Sequence, residues 1–396
     1  MLVFILNAGS SSLKYQLINA KTHELKASGL VERIGIDGIL KHEIGEDKKL
    51  TFETQIPTHK EAIELVLRIL TNDETKVISS IDEIEAIGHR VVHGGEYFKG
   101  SVIVDDEVIR KIEELIPLAP LHNPANILGV KICQELMPKV PNVVTFDTAF
   151  HQTMPMENFL YAVPYADYTE HHLRKYGFHG TSHYYVSQEA IKLLNKKDSK
   201  VIVCHLGNGS SVCAVKDGKS ISTSMGLTPL EGLVMGTRSG DIDAGVIPYL
   251  MERKGLSHTQ ILDYLNKKSG ILGVSGVSSD LREVIKASND GDKRSKIAIT
   301  MLCDRIKKYL CSYAGLMHGV DAICFTAGIG ENSDLIREKV CEGLDFMGIE
   351  IDKDKNSKRE KGNKEINTKN SKTKIFVIPT NEELVIATDT YNLLKK

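Results

Sequence analysis

The chain carries one short signature twice. "LNAGSSSL" at 6–13 and "LGNGSSVC" at 206–213 share Leu, Gly, Ser and Ser at positions 6, 9, 10, 11 and 206, 209, 210, 211, an offset of 200 in a chain of 396 residues. Each copy follows an apolar run, VFIL or VIVCHL, and precedes alternating apolar residues, so each reads as a strand, a Gly/Ser turn and a return strand. The chain is too long for one ordinary core, and a repeat at half its length predicts two related lobes with a cleft. The tip of such a hairpin can turn backbone N–H groups and hydroxyls toward an anion. A single copy reads equally well as a plain turn; the matching strand contexts of the two copies favour a phosphate-holding turn. It is not a Walker loop: G-x-x-x-x-G-K-[ST] is absent, and Lys14 lies in the return strand.

Strands alternate with helices, which gives an α/β class. Apolar residues at three- and four-residue spacing predict helices over 59–70 and 295–319, the latter closed by His318 and Gly319. "VDAICFTAGIGENS" reads as a strand, a glycine-rich turn and an N-cap, Asn332 or Ser333, opening the next helix. The Lys-rich stretch 352–374 reads as a solvated surface excursion.

Composition narrows the class of partner. With 41% hydrophobic and 26% charged residues and a net charge of −2, the chain reads as soluble and globular, with no basic excess to recruit nucleic acid or an anionic membrane. The opening run LVFIL is five residues long and broken at Asn7, too short for a signal core or a span, so a cytoplasmic location is expected. Seven cysteines (133, 204, 213, 303, 311, 324, 341), odd in number and without a CxxC pair, read as reduced core residues.

Polar clusters interrupt segments that otherwise read as buried: "GHRVVHGG" (88–95), "APLHNPAN" (119–126), "FDTAFH" (146–151), "YGFHGTSH" (176–183), "MGTRSGDIDAG" (235–245) and "IPTNEEL" (378–384). Each arginine alone also reads as a structural ion pair. "SSDLR" (278–282) also reads as a helix N-cap. His179 and His183 are spaced as an i, i+4 metal pair, but "GTS" forms helix poorly and no catalytic Glu follows His179, so zinc is disfavoured and His183 reads as structural.

"NAGSSSLK", "YGFHGTSH", "HLGNGSS", "GLTPLEGLVMGTRSGDID", "GIGENS" and "IPTNEE" resemble, in order and over essentially the whole chain, the motifs of the acetate kinase family, part of the acetate and sugar kinase, Hsp70 and actin superfamily. The resemblance implies a two-domain actin-like ATPase (ribonuclease H-like) fold, with duplicated mixed sheets flanked by helices and a central cleft. It implies an N-terminal domain over 1–148, joined by a C-terminal helix over 384–396, and a nucleotide-binding and dimerisation domain over 149–383. The implied reaction is reversible, ATP-dependent phosphorylation of acetate to acetyl phosphate, with Mg²⁺ or Mn²⁺, by a cytoplasmic homodimer that closes its lobes over the substrates.

Phosphoryl transfer asks for in-line positioning and for cations and hydrogen-bond donors around the transferring oxygens. By resemblance, Arg90 contacts the acetate carboxylate, Arg238 and His179 stabilise the phosphoryl group, and His122 binds near the same oxygens. Asn7, Asp147 and Glu382 match metal-associated positions. Asp147 is the family's candidate acid/base, but a carboxylic acid substrate is already ionised near pH 7, so Asp147 is expected to orient Mg²⁺ or its waters. Lys14, Ser10 and Ser12 belong to one phosphate hairpin, and His205, Leu206, Gly207, Asn208 and Gly209 to the other. Asp280, Leu281 and Arg282, with Gly328, Ile329, Gly330, Glu331 and Asn332, are implied to hold the nucleoside. Val92, Leu121, Phe178 and Pro229 map to the apolar walls of the acetate pocket, and core packing is their alternative reading. Two other functions fit the same phosphate hairpins: a kinase for propionate or butyrate, and a nucleotide-switched binding protein like Hsp70 or actin, which would need neither arginine.

Overall fold

The structure, a computed structural model, describes residues 1–45 and 48–395. The chain divides into two compact units, one from Met1 to Ala149 together with the residues from Asn381 onward, the other Phe150–Thr380.

The first unit is built on eight strands: β1 (Leu2–Ala8), β2 (Ser12–Asn19), β3 (Glu24–Glu32), β4 (Ile39–Ile44), β5 (Lys48–Glu53), β6 (Ala86–Val91), β7 (Val102–Ile103) and β8 (Asn142–Phe146). They lie in the order β5-β4-β3-β2-β1-β6-β8-β7. β1, β2 and β3 form an antiparallel meander, while β6 runs parallel to β1 and β8 parallel to β6. On one face the helices His59–Thr71 and Asn123–Leu136 bury Ile63, Val66, Ile132 and Cys133 against Phe4, Leu6 and Leu17. The C-terminal helix Glu382–Leu394 covers the other face with Ile386 and Ala387 against Val3, Ile5 and Ala86. That helix approaches so closely that a Cβ on Gly88 would lie 2.5 Å from Ile386 Cγ2, so β6 needs glycine there. A buried isoleucine contributes about 1.5–3 kcal/mol, enough to hold a returning helix that has no sheet hydrogen bonds.

The second unit repeats the plan with β9 (Lys200–Leu206), β10 (Ser210–Lys216), β11 (Lys219–Thr223), β12 (Ala322–Thr326), β13 (Lys364–Glu365) and β14 (Lys374–Val377), in the order β11-β10-β9-β12-β14-β13. Here too a meander leads into two parallel strands. Leu302, Ile306 and Leu310 of the helix Lys293–Leu316 pack on Ile202, Cys204 and Ile323. Val186 and Ala190 of the helix Gly180–Leu194 pack on Val203 and Cys324 from the opposite side.

The duplication is therefore one of topology, and the eight-residue match misses its register. Ala8 pairs with Leu13 to close the first hairpin, whereas Leu206 pairs with Ser210 to close the second, so the matched Leu6 and Leu206 are not equivalent. Small residues recur in both tips because both tips turn tightly.

Three other expectations need correction. The stretch after β12 is no open glycine turn: Ala327–Asn332 is itself helical, and Ser333 caps the following helix Asp334–Cys341. "GTS" does open a helix: Gly180–Leu194 begins there, its packing overriding poor local propensity. The Lys-rich stretch is anchored instead of merely solvated. It holds the helix Lys353–Ser357 and strand β13, and buries Asn356, Ile366 and Asn367. All seven cysteines are free, six of them buried and Cys311 half-buried.

Candidate active site

In the first unit the parallel pairing of β6 and β8 sets Arg90 opposite Thr145, and Asp147 N–H closes onto Val91 O at 3.1 Å just past the end of β8. Arg90 and Asp147 thus meet at neighbouring strand ends, although 57 residues separate them. Arg90 Nε donates to Asp147 Oδ1 at 2.9 Å and Nη2 to Oδ2 at 2.6 Å. Asp147 is 1% exposed, and this two-pronged pair compensates its buried charge.

A small pocket beside this pair is lined by Asn7, Lys14, Arg90, Glu382 and Glu383. Lys14 is ion-paired to Glu383. Glu382 Oε1 is buried without a hydrogen-bond partner. Burial, with Asp147 and Glu383 nearby, pushes the Glu382 carboxyl up to about 7 against the opposing pull of Arg90. A buried carboxylate oxygen with no donor fits a cation, and Asn7 and Glu382 are the hard oxygen donors Mg²⁺ favours. Asp147, by contrast, spends both oxygens on Arg90. Among the described residues no group of three or more His, Cys, Asp or Glu could hold a metal.

The other expected residues of this unit vary in setting. Val92 is buried, its N–H bound to Asn126 Oδ1 at 3.1 Å. Leu121 is 66% exposed. His122 stands at the N-cap of Asn123–Leu136, and Ser10 and Ser12 sit at the β1–β2 tip.

The second unit gathers its residues around the β9–β10 hairpin. The tip folds on itself, Ser210 Oγ donating to Gly207 O at 2.9 Å. A Cβ built on Gly209 would stand 3.4 Å from Arg238 Nη1 and 3.7 Å from His179 Cε1 and Nε2. Arg238 and His179 therefore converge on the tip, leaving room for a Cβ at ordinary contact distance. Arg238 is half-buried, donates to Pro229 O at 3.3 Å, and has no carboxylate in ion-pair range among the described residues. Burial without an anion lowers its pKa, so the site is short of one negative charge. The segment carrying Arg238 is braced by Asp241, which accepts from Gly232 N–H and from Tyr309 OH, both at 2.8 Å.

His179 adopts φ 57° and ψ 23° at the N-cap of Gly180–Leu194, and stacks on His205 at 4.1 Å between ring centres. Phe178 beside it is 2% exposed.

From the tip a cavity of about 850 Å³ runs past Gly207, Asn208, Asp280, Leu281, Arg282, Gly328, Ile329 and Asn332. Eight expected nucleotide residues thus line one cavity. Asp280 also caps Leu281–Asn289, as the N-cap reading of "SSDLR" expects. Leu206 and Gly330 are buried outside its lining, and Glu331 turns back, its Oε1 accepting from Ala327 N–H at 2.8 Å. Residue-by-residue reading missed Ser211, which bridges His179 and His183, and Glu383, the partner of Lys14. Ser211 lay within the repeated Gly-Ser-Ser; Glu383 gave only its place in "TNEE".

The duplicated meander-plus-parallel sheet defines the actin-like ATPase fold, shared with kinases. Residues 2–388 match the acetokinase family. An acetate kinase of Fusobacterium nucleatum subsp. nucleatum is 56% identical over 398 residues, covering 100% of both chains. The structure of Porphyromonas gingivalis acetate kinase superposes with a TM-score of 0.95 at 48% identity, covering 99% of each chain. A propionate kinase from Francisella tularensis superposes with a TM-score of 0.93 at 46% identity, again over 99% of each chain. The chain belongs to the acetokinase family and is an acetate kinase enzyme. The family's activity is ATP-dependent phosphorylation of acetate to acetyl phosphate. No helix among the described residues is long and apolar enough to cross a membrane.

Proposed function

We propose that this chain moves the γ-phosphoryl group of ATP directly to a carboxylate oxygen of acetate, reversibly, giving acetyl phosphate and ADP. The observation that supports the reading is the convergence on the Gly209 tip of His179 and of an Arg238 that lacks an anion. A transferring phosphoryl group is the anion that such a site favours.

Arg90, held in one orientation by Asp147, presents Nη1 to the acetate carboxylate. His179 and Arg238 donate to the equatorial oxygens of the phosphoryl group, and His122 contributes near them. The β9–β10 tip, His205 to Gly209, receives the β- and γ-phosphates, and Lys14 adds positive charge at the other hairpin with Ser10 and Ser12. Asp280 to Arg282 and Gly328 to Asn332 hold the nucleoside. Asn7 and Glu382 would hold Mg²⁺, and Asp147 would orient the ion or its waters. When bound, Mg²⁺ supplies charge neutralisation at the phosphate oxygens. The P–O bond to ADP breaks as the P–O bond to acetate forms. No proton moves, because acetate is already ionised.

Val92, Leu121, Phe178 and Pro229 wall the methyl group. Propionate is the second reading for the acceptor, since a propionate kinase resembles the chain closely. One methylene is worth only about 1–3 kcal/mol in such a pocket, so propionate should react more slowly without being excluded. A cytoplasmic homodimer formed through the second unit completes the proposal; exposed Tyr165, Tyr249 and Leu262 provide apolar surface for it.

Hydroxylamine trapping of acyl phosphate from ATP, Mg²⁺ and acetate, propionate or butyrate, with ADP measured in parallel, tests the whole. Acyl phosphate highest with acetate and equal to ADP supports it; ADP without acyl phosphate would make the chain a nucleotide-switched protein.

A further inference from the structure

The side chains behind His179 form a chain of hydrogen bonds that ends in the protein interior. His179 Nδ1 lies 2.9 Å from Ser211 Oγ, and the same oxygen lies 2.7 Å from His183 Nε2. Ser211 and His183 are both 0% exposed. His183 Nδ1 has no hydrogen-bond partner. At the far end, the Nε2 and Cε1 edge of His179 faces the Gly209 tip.

We propose that Ser211 and His183 are positioning residues that hold His179 as the neutral tautomer protonated on Nε2, with that N–H aimed into the space at the hairpin tip. The inference rests on the phosphoryl-donor role given to His179 above.

A hydroxyl has one proton and can accept twice, but the two histidines are the only partners of Ser211 Oγ among the described residues, so accepting from both would strand its own buried proton; Ser211 therefore donates to one histidine and accepts from the other. If it donated to His183, the His183 proton would sit on Nδ1, a buried N–H with no acceptor, which folded proteins almost never tolerate. The bare nitrogen must be Nδ1, because a lone pair left without a donor costs less than an N–H left without an acceptor. His183 Nε2–H then donates to Ser211 Oγ, Ser211 O–H donates to His179 Nδ1, and the remaining proton of His179 is fixed on Nε2. Burial, with His151 and His205 nearby, keeps His183 from charging, so this direction is not reversed by protonation. The stack on His205, itself 2.8 Å from Ser182 Oγ through Nδ1, holds the ring plane. A donor fixed in place before substrate arrives costs no reorganisation during transfer.

Two-bond proton–nitrogen spectra of protein labelled with ¹⁵N-histidine, assigned from His179→Asn and His183→Asn, read each tautomer directly. Both rings should show the Nε2–H pattern in the resting enzyme. A His179 proton on Nδ1, alone or alongside one on Nε2, overturns the proposal with no variant needed. In Ser211→Ala, the His179 pattern should change, and kcat should fall about tenfold or more while KM for acetate and ATP stays within about twofold. Ser211→Thr, which keeps the hydroxyl, should restore the Nε2–H pattern. An unchanged His179 tautomer in folded Ser211→Ala also overturns it. Full activity in His179→Asn would refute the donor role of His179 while leaving the tautomer assignment standing, so the two failures are distinguishable.

Discussion

Arg90 and Asp147 grip each other through two parallel hydrogen bonds at the ends of adjacent parallel strands, and Asp147 has essentially no other access to solvent. A pair of this kind acts as one unit: without Asp147, Arg90 keeps its charge but loses its aim.

The first prediction follows from that unity. Arg90→Ala and Asp147→Asn should each lower kcat/KM by about a hundredfold or more, and the double variant should be scarcely worse than the weaker single one. A double-mutant cycle on kcat/KM checks this; additive losses would mean that the two side chains act independently.

Arg238 is the opposite case, a half-buried guanidinium without a carboxylate. Its desolvation is a cost to the empty protein, so Arg238→Gln should leave the unfolding temperature unchanged or raise it. The same change should cut kcat/KM about a hundredfold. A marked drop in thermal stability with activity retained would make Arg238 a structural residue.

These two arginines show what the sequence could and could not reveal. Their motifs were legible, as were the α/β class and both hairpins, because glycine, serine and apolar alternation are local signals; the residues that line the larger cavity were singled out by the family resemblance instead. The Arg90–Asp147 pair was not, since it depends on which strands lie side by side, and parallel neighbours are far apart in sequence. Glu382 reaches the same pocket only because the chain returns at its end to pack a helix on β1 and β6. The helix beginning at Gly180 was hidden for a different reason: Gly-Thr-Ser disfavours helix locally, and burial of Val186 and Ala190 overrules it.

Stability should depend on pH through buried histidine. His89 is 2% exposed, its Nε2 bonded to Asn142 Oδ1 at 2.7 Å, and burial lowers its pKa to about 4. An unfolded histidine titrates near ~6.5, so between these values the unfolded chain binds more protons and stability falls as pH drops. The contribution is complete above about pH 6.5 and is lost toward pH 4, a change of up to about 3 kcal/mol. Urea unfolding at several pH values should show this decline, with a shallower slope in His89→Asn. Equal slopes would place the acid sensitivity elsewhere, in groups such as His183.

The sharpest test of the phosphoryl site is a single methyl group. A Cβ on Gly209 would approach Arg238 Nη1 to 3.4 Å and His179 to 3.7 Å, ordinary contact distances, and Gly209 does not have positive φ. Gly209→Ala should therefore fold with an unfolding temperature within a few degrees of the parent. Its methyl group would occupy the space where the two donors converge, so kcat/KM should fall about a hundredfold, comparable to loss of a donor. Gly270→Ala provides the contrast: its φ is +62° and a Cβ there would lie 2.2 Å from the backbone oxygen of Met235, so the segment carrying Arg238 should be disrupted, with stability lost alongside activity. Calorimetry and steady-state kinetics on both variants separate the cases. If folded Gly209→Ala keeps near-parental kcat/KM, the space at the hairpin tip does not receive the transferring group, and the roles given to His179 and Arg238 fall with it.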